Sequence, residues 1–301
     1  MDRVSVTVGI PAYNEGTNLK HLLNSLLKQN EKKIVVEKII ISSDGSFDDT
    51  VRIAQEFKKK FSHFQIFDNR KREGVGLRQN QIMNATDSDI LILIQADTRI
   101  EGRNFLEELA RPIVEGKADL VSAALSELPP RNFFEETLLE SMRFKRRVFE
   151  NYKKGRNLYT CHGPGRAFSK RFYKKLVFPL SVGEDAYSFL FCQKLGFKYY
   201  YASKAKINYR LPNNLSDHLK QSLRFRLSSK LMKDYFGEEF VKKHYCLPKD
   251  LFLRNILRFY LNKPLRAVVY SFLTLLSFFG FFIKSDKKDT WDIALSSKIL
   301  I

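Results

Sequence analysis

The chain has 301 residues, 44% of them hydrophobic and 28% charged, which excludes a disordered segment and leaves room for a large core. Its 52 Lys and Arg against 33 Asp and Glu give +19, so an anionic partner is expected: nucleic acid, an acidic membrane face or a phosphorylated small molecule. Three scattered cysteines, Cys161, Cys192 and Cys246, have no metal-ligand spacing and are expected to be buried apolar residues of a reduced protein; no signal peptide opens the chain, and a cytoplasmic location is expected.

The first 125 residues alternate strand-like and helix-like patterns. "VSVTVGI" reads as a strand, and "TNLKHLLNSLLKQ" keeps Leu19, Leu22, Leu23, Leu26 and Leu27 at helical spacing before the β-branched run "KIIISS". A helix in "DDTVRIAQEFKKKF", a short strand "FQIF", a helix from about Val75 to Ala85, the strand "DILILIQ", a helix near "GRNFLEELARPIVE" and the strand "ADLVSAAL" continue the alternation. This predicts an α/β fold: a mostly parallel sheet with helices on both faces. Ligands of such sheets bind beyond the carboxyl ends of the strands. Pro11, Ala12, Tyr13, Asn14 and Glu15, then Asp44, then Asp97 each follow a predicted strand, so three segments should converge on one edge. Taken singly, Asn14-Glu15 and "DGSFDDT" would be read as a helix cap and a turn.

In order along the chain, "VGIPAYNE", "IIISSDGSFDDT", "REGVGLRQNQIMNAT", "LILIQADT", "GED" (183–185) and "QSLRF" (221–225) resemble the motifs of the family 2 glycosyltransferases, which have the GT-A fold. The resemblance covers about residues 4 to 225. It implies an inverting transfer of sugar from a nucleotide-sugar donor, a UDP- or GDP-sugar, to a hydroxyl of a lipid-linked or polysaccharide acceptor. Pro11, Ala12, Tyr13, Glu15, Asp44, Arg78, Asn80, Gln95, Ala96 and Arg224 would contact the donor. Asp97 matches the second acid of the D-x-D metal motif, with Gln95 in place of the first, and would share Mg²⁺ or Mn²⁺ with the diphosphate. Asp185 would be the catalytic base, tuned by the neighbouring carboxylate Glu184; the same pair would also suit a helix N-terminus. Gly163, Gly165, Gln221 and Phe225 would line the acceptor side, Phe225 keeping the aromatic face of the last motif position without an indole N–H. His162 reads as a hydrogen-bonded histidine, and Lys220 and Arg226 as solvated basic surface.

The C-terminal quarter changes character. A basic amphipathic stretch leads into 17 uncharged residues, Ala267 to Ile283, flanked by Lys263 and Arg266 before and by Lys284, Lys287 and Lys288 after. A helix of that length spans roughly 26 Å, short of a ~30 Å hydrocarbon core. Basic residues at both ends fit a segment lying on or dipping into one leaflet better than a span. Ser271, Thr274, Ser277 and Gly280 form a small-residue stripe that would instead pack on another helix. The expected organisation is a catalytic domain over 1–235, with a nucleotide half 1–125 and an acceptor half 126–235, then a membrane-associating helical region over 236–301 on an anionic membrane surface at the cytoplasmic face. A catalytically weak protein of the same fold that binds anionic ligands or nucleic acid is the competing expectation, prompted by the charge and by Gln95; no nucleic-acid-binding motif supports it.

Overall fold

The computed structural model describes residues 3–180, 182–283 (279–283 by backbone), 294–298 and 300. Lys284, Lys287 and Lys288 lie outside the described residues.

β1 (Val4–Ala12), α1 (Gly16–Leu26), β2 (Ile34–Asp44), α2 (Thr50–Phe57), β3 (Phe64–Asn69), α3 (Val75–Asn84) and β4 (Ile90–Ile94) follow the alternation of the sequence. β5 (Arg99–Ile100), α4 (Phe105–Val114), β6 (Leu120–Glu127), α5 (Phe133–Asn151), β7 (Gly165–Ser169), α6 (Lys170–Tyr173), α7 (Glu184–Lys194) and β8 (Tyr199–Tyr209) complete one eight-stranded sheet. Its strand order is β3-β2-β1-β4-β7-β6-β8-β5. The β1–β2, β1–β4, β2–β3 and β6–β8 pairs are parallel; β7 runs antiparallel between β4 and β6, and β5 antiparallel to β8. The fold is thus α/β and mostly parallel, as the alternation predicts. The expected halves 1–125 and 126–235 share one sheet, in which β7 and β8 pair with β4 and β6.

β4 explains the apolar run at its centre. Ile90, Ile92 and Ile94 face the layer that holds Leu19, Leu22, Leu23 and Leu109; Leu91 and Leu93 face the opposite layer with Ile82, Phe168 and Leu190. All five are buried, which is why the strand reads as an unbroken apolar run. Burying each such side chain stabilises by about 1.5–3 kcal/mol.

β7 is not among the strands that the sequence predicts; Gly163 and Gly165 read only as residues of the acceptor side. A Cβ on Gly165 would stand 3.1 Å from Ala123 Cβ and 3.3 Å from the Phe105 ring, so this glycine lets β7 press against its neighbours in the sheet. Its expected place on the acceptor side is corrected accordingly. Cys161 and Cys192 are buried as expected; Cys246 is exposed, just after the helix that ends at Tyr245.

Beyond the sheet stand α8 (Leu215–Phe236), α9 (Glu238–Tyr245), α10 (Lys249–Asn262) and α11 (Pro264–Ile283). Phe259 of α10 and Ala267 of α11 are buried with Phe144 and Val148 of α5. Arg226 of α8 donates to Ser277 O at 2.8 Å, so it fastens α8 to α11 instead of forming solvated surface; Lys220 pairs with Asp217 at 2.9 Å. The opposite faces of α10 and α11 stay open, with Leu257, Leu261, Leu265, Val268 and Phe272 exposed. Among the described residues, no helix is long and apolar enough to cross a membrane.

Gly9 shows how closely α3 lies on β1. A Cβ there would stand 2.4 Å from Ile82 Cγ2 and 2.9 Å from Leu93 Cδ2. Gly9→Ala should therefore destabilise the fold by about 1–3 kcal/mol through overpacking, read as a lower urea midpoint at unchanged slope.

Candidate active site

β1 pairs with β2 on one edge and β4 on the other, so the chain leaves the sheet in opposite directions from their carboxyl ends and a crevice opens between them. A cleft of about 780 Å³ occupies it and continues towards α5, α8 and α11. Pro11, Ala12, Tyr13, Glu15, Asp44, Arg78, Gln95, Ala96, Asp97, Gly163, Glu184, Asp185, Gln221, Arg224 and Phe225 line it together. Asn80 and Gly165 do not. Asn80 clamps the main chain of Phe178, donating to its carbonyl at 2.8 Å and accepting from its N–H at 2.9 Å, which occupies the amide with structure rather than donor.

The loop after β1 is stitched to the loop after β2. Asn14 takes a left-handed conformation with φ 51°. Its N–H donates to Ser46 Oγ at 3.1 Å, and its Oδ1 accepts from Phe47 N at 3.0 Å. The orphan N–H groups at the start of α1 go to the same loop: Glu15 N donates to Thr50 Oγ1 at 2.8 Å and Gly16 N to Asp48 Oδ2 at 3.1 Å. Neither Asn14 nor Glu15 caps the helix with its own side chain. Glu15 is instead a buried wall of the cleft. Burial first, and then the charge of Asp97, push its carboxyl up to about 7.

Asp44 and Arg78 form a buried ion pair at 2.7 Å. Asp44 Oδ1 also accepts from Glu73 N at 2.8 Å and Oδ2 from Gly74 N at 2.9 Å, so the carboxylate ties down the loop that opens α3. One in-plane acceptor position remains on Oδ2. Arg78 spends its other nitrogen on Lys71 O and Glu73, which makes it the holder of Asp44 as much as a cleft residue.

On the far wall, Glu184 and Asp185 form the first turn of α7, where negative charge is favoured. Both remain partly open to the cleft. Burial, then the adjacent Glu184 charge, raise the Asp185 carboxyl above the ordinary carboxylate range. Gln95 Nε2 donates to Glu184 Oε1 at 2.9 Å, turning the amide that stands in place of an acid towards α7. A Cβ on Gly163 would come within 3.0 Å of Gln95 Nε2 and Glu184 Oε1, so only a bare backbone admits that contact.

Three residues that hold the two walls were not singled out from the sequence. Arg166 is fully buried on β7 and donates to Glu184 O at 2.7 Å, Ser188 Oγ at 2.9 Å and Gln79 Oε1 at 3.1 Å; its guanidinium lies 4.0 Å from Glu184 Oε1. Ser228 of α8 accepts from Gly183 N at 3.1 Å, and a Cβ on Gly183 would meet its Oγ at 2.4 Å. Lys298 pairs with Glu15. The small-residue run "GRAFS" around Arg166 was a usable signal for a strand with a polar interior. Nothing local marks Ser228 or Lys298. His162 is half-buried on the cleft, and desolvation together with Arg146 pushes it down to about 3, so it stays a neutral histidine.

Among the described residues no three His, Cys, Asp or Glu side chains form a metal cluster. Asp97 is nevertheless a half-buried carboxylate on the cleft with no ion pair among the described residues, and Glu15 is within reach of its charge. A single hard oxygen ligand fits a Mg²⁺ or Mn²⁺ whose remaining coordination comes from a diphosphate and water.

The family model described as Glycosyl transferase family 2 matches residues 7–177. The glycosyltransferase GlyA of Streptococcus pneumoniae is 26% identical over 217 residues, 68% of this chain and 30% of that protein. The processive diacylglycerol beta-glycosyltransferase of Mycoplasma genitalium is 28% identical over 122 residues, 40% of this chain and 35% of that protein. The chain thus spans about a third of the length of these curated relatives. Among solved structures, the mannosyltransferase PcManGT of Pyrobaculum calidifontis, in complex with GDP-Man and Mn²⁺, superposes with a TM-score of 0.59 at 15% identity, covering 95% of this chain and 77% of that one. TarS 1-349 of S. aureus, in complex with UDP, gives 0.56 at 19% identity, covering 80% and 72%. At such identities the likeness is one of fold.

Two outcomes follow from the geometry. The folded chain keeps a proton on Glu15 up to about pH 7, whereas the unfolded chain releases it from about 4.5, so this group's contribution to stability is whole below 4.5 and lost as pH rises through 7. In EDTA, Glu15→Gln should gain about 2–3 kcal/mol relative to the wild type between about pH 4.5 and about pH 7.5, measured by urea unfolding. Arg166→Met leaves three buried acceptors short of a donor and should destabilise by about 2–3 kcal/mol on the same assay.

Proposed function

Because the chain belongs to glycosyl transferase family 2, we propose that it catalyses the inverting transfer of a sugar from a UDP- or GDP-sugar to a hydroxyl of a lipid-linked or polysaccharide acceptor at the cytoplasmic face of a membrane. The observation that carries this reading is the meeting of two walls in one cleft: Asp44, Glu15 and Asp97 at the strand ends, and the raised carboxyl of Asp185 across from them.

The donor's nucleoside would lie between Tyr13 and Asp44, where one carboxylate acceptor is free for a base N–H. Its diphosphate would sit at the ends of β1 and β4, near Asp97, with Arg224 of α8 reaching from the acceptor side. A Mg²⁺ or Mn²⁺ held by Asp97 would neutralise the charge that develops on the leaving diphosphate. Asp185 takes the acceptor's hydroxyl proton on a carboxylate oxygen as the acceptor oxygen forms its bond to the anomeric carbon. The bond from that carbon to the diphosphate oxygen breaks, and its electron pair leaves with the nucleoside diphosphate. Attack opposite the leaving group inverts the anomeric carbon. Arg166 and Gln95 hold the Glu184-Asp185 turn in place for this step.

The acceptor end of the cleft is lined by Leu138 and Met142 of α5, Phe225 of α8 and Tyr270 and Thr274 of α11. It therefore opens beside the outer apolar faces of α10 and α11, where exposed Arg254, Arg258 and Lys263 accompany Leu257, Leu261 and Phe272. Anionic lipid attracts such cations by about 1 kcal/mol each, and apolar burial adds to it. A diacylglycerol acceptor, in the name of the mycoplasmal relative, is the kind of substrate this placement suits.

Asp185→Asn should bind donor nearly as tightly as wild type and turn over at least ~10²-fold more slowly, since shape is kept and proton acceptance lost. In the wild type the acid limb of kcat should lie above the usual carboxylate range, as activity rises while the Glu184-Asp185 pair loses its proton. Rate profiles against pH with UDP- and GDP-sugars check both. Leu261→Asp together with Phe272→Asp should abolish co-sedimentation with vesicles rich in anionic lipid while leaving donor binding intact; unchanged sedimentation would remove the membrane from this reading.

A further inference from the structure

The segment Ala294–Lys298 lies across the cleft, far in sequence from either wall. It is fastened to the acceptor side through Ser296, whose N–H donates to Asp217 Oδ2 at 2.9 Å and whose carbonyl accepts from Arg131 Nη2 at 3.3 Å. Asn213 N donates to Ser296 Oγ at 3.2 Å, and Gln221 Nε2 to Ser297 Oγ at 3.4 Å. On the other side Lys298 meets the strand ends. Its carbonyl accepts from Asn18 Nδ2 at 2.6 Å, its Nζ donates to Tyr13 O at 2.8 Å, and its ammonium pairs with Glu15.

We propose that Lys298 is a donor-site residue, an ammonium delivered by the C-terminal segment to the diphosphate of the bound nucleotide; this assignment rests on the donor reading above. Lys298 lines the cleft beside Tyr13, Glu15 and Asp97, the place where the crevice between β1 and β4 receives an anionic ligand. An ammonium has three N–H donors. Among the described residues Tyr13 O and Glu15 take two of them, and a phosphate oxygen would take the third. Docking of the segment does not need the lysine, because Asp217, Arg131, Asn213 and Gln221 already hold the residues before it, and a buried ion pair adds little net stability by itself. The site also has room for a tethered positive charge. Gln95 carries none of the charge of the family's acid at that position, so Asp97 would hold a cation with less help from its neighbours, and an ammonium of the chain would add positive charge beside it.

The test uses the full chain with Lys298→Ala, Lys298→Met and Lys298→Arg, titrated calorimetrically with UDP and GDP, and with uridine and guanosine, in Mn²⁺ and again in EDTA. Loss of the ammonium should weaken nucleoside diphosphate binding about tenfold in both conditions and leave nucleoside binding unchanged, with Lys298→Arg retaining most of the affinity. Equal or tighter diphosphate binding by the Ala and Met variants, whose melting curves report an intact fold, would overturn the assignment and leave Lys298 as a strut or a plug. A wild type that binds neither diphosphate would overturn the donor reading, and this assignment with it.

Discussion

Parallel pairing of β1 with β2 on one edge and β4 on the other is the constraint on which the site depends. Parallel neighbours need crossover connections, so no tight turn joins the carboxyl ends of β1 and β4 and a crevice opens there, across which the remote segment Ala294–Lys298 reaches. Several residues of the strand-end wall owe their place to one of these strands, which they end or follow by a few positions. Tyr13 and Glu15 follow β1, Asp44 ends β2, and Gln95 and Asp97 follow β4. The buried apolar faces of β4 hold the crevice rigid, since Leu91 and Leu93 on one side and Ile90, Ile92 and Ile94 on the other are packed with no exposed edge.

The opposite wall is built differently, from polar groups buried around one helix terminus. Arg166 inside the sheet and Gln95 at the end of β4 converge on Glu184, while Ser228 holds the backbone of Gly183. Glu184 is thereby held close to Asp185, and burial together with that closeness lifts the Asp185 carboxyl. The replacement of an acid by Gln95 then has a structural meaning. An amide can donate to Glu184, which a carboxylate cannot do without holding a proton. On the proposed reading, the position gives up a share in a cation and braces the Glu184-Asp185 turn instead.

Charge in the cleft is distributed over the whole chain. Glu15 and Asp97 come from the first hundred residues, Arg224 from α8 and Lys298 from the C-terminus. The excess of basic residues has at least two outlets in the fold: cations that face the cleft, and the cations interspersed with exposed leucines on α10. On the proposed reading each has a use: the first set faces the cleft where a diphosphate would bind, and the second lies on the open face of α10 where an acidic membrane surface would be met.

The periodicities of the sequence determined the strands and helices of the nucleotide half, and the order of six short motifs determined the family. Both signals are local: a buried strand shows as an apolar run, and a residue one or two positions past a strand end has its place set by that strand. What only the tertiary structure decided are contacts between residues remote in the chain. Gly165 serves packing because β7 inserts antiparallel between β4 and β6, and Asn80 serves Phe178 because α3 meets a loop 98 positions away. Arg166 becomes a brace because β7 buries it under α7. Lys298 reaches Glu15 across 283 positions of sequence. No spacing rule foretells such a contact, because a side chain's partner across the fold is set by where two surfaces pack, and that depends on the whole core.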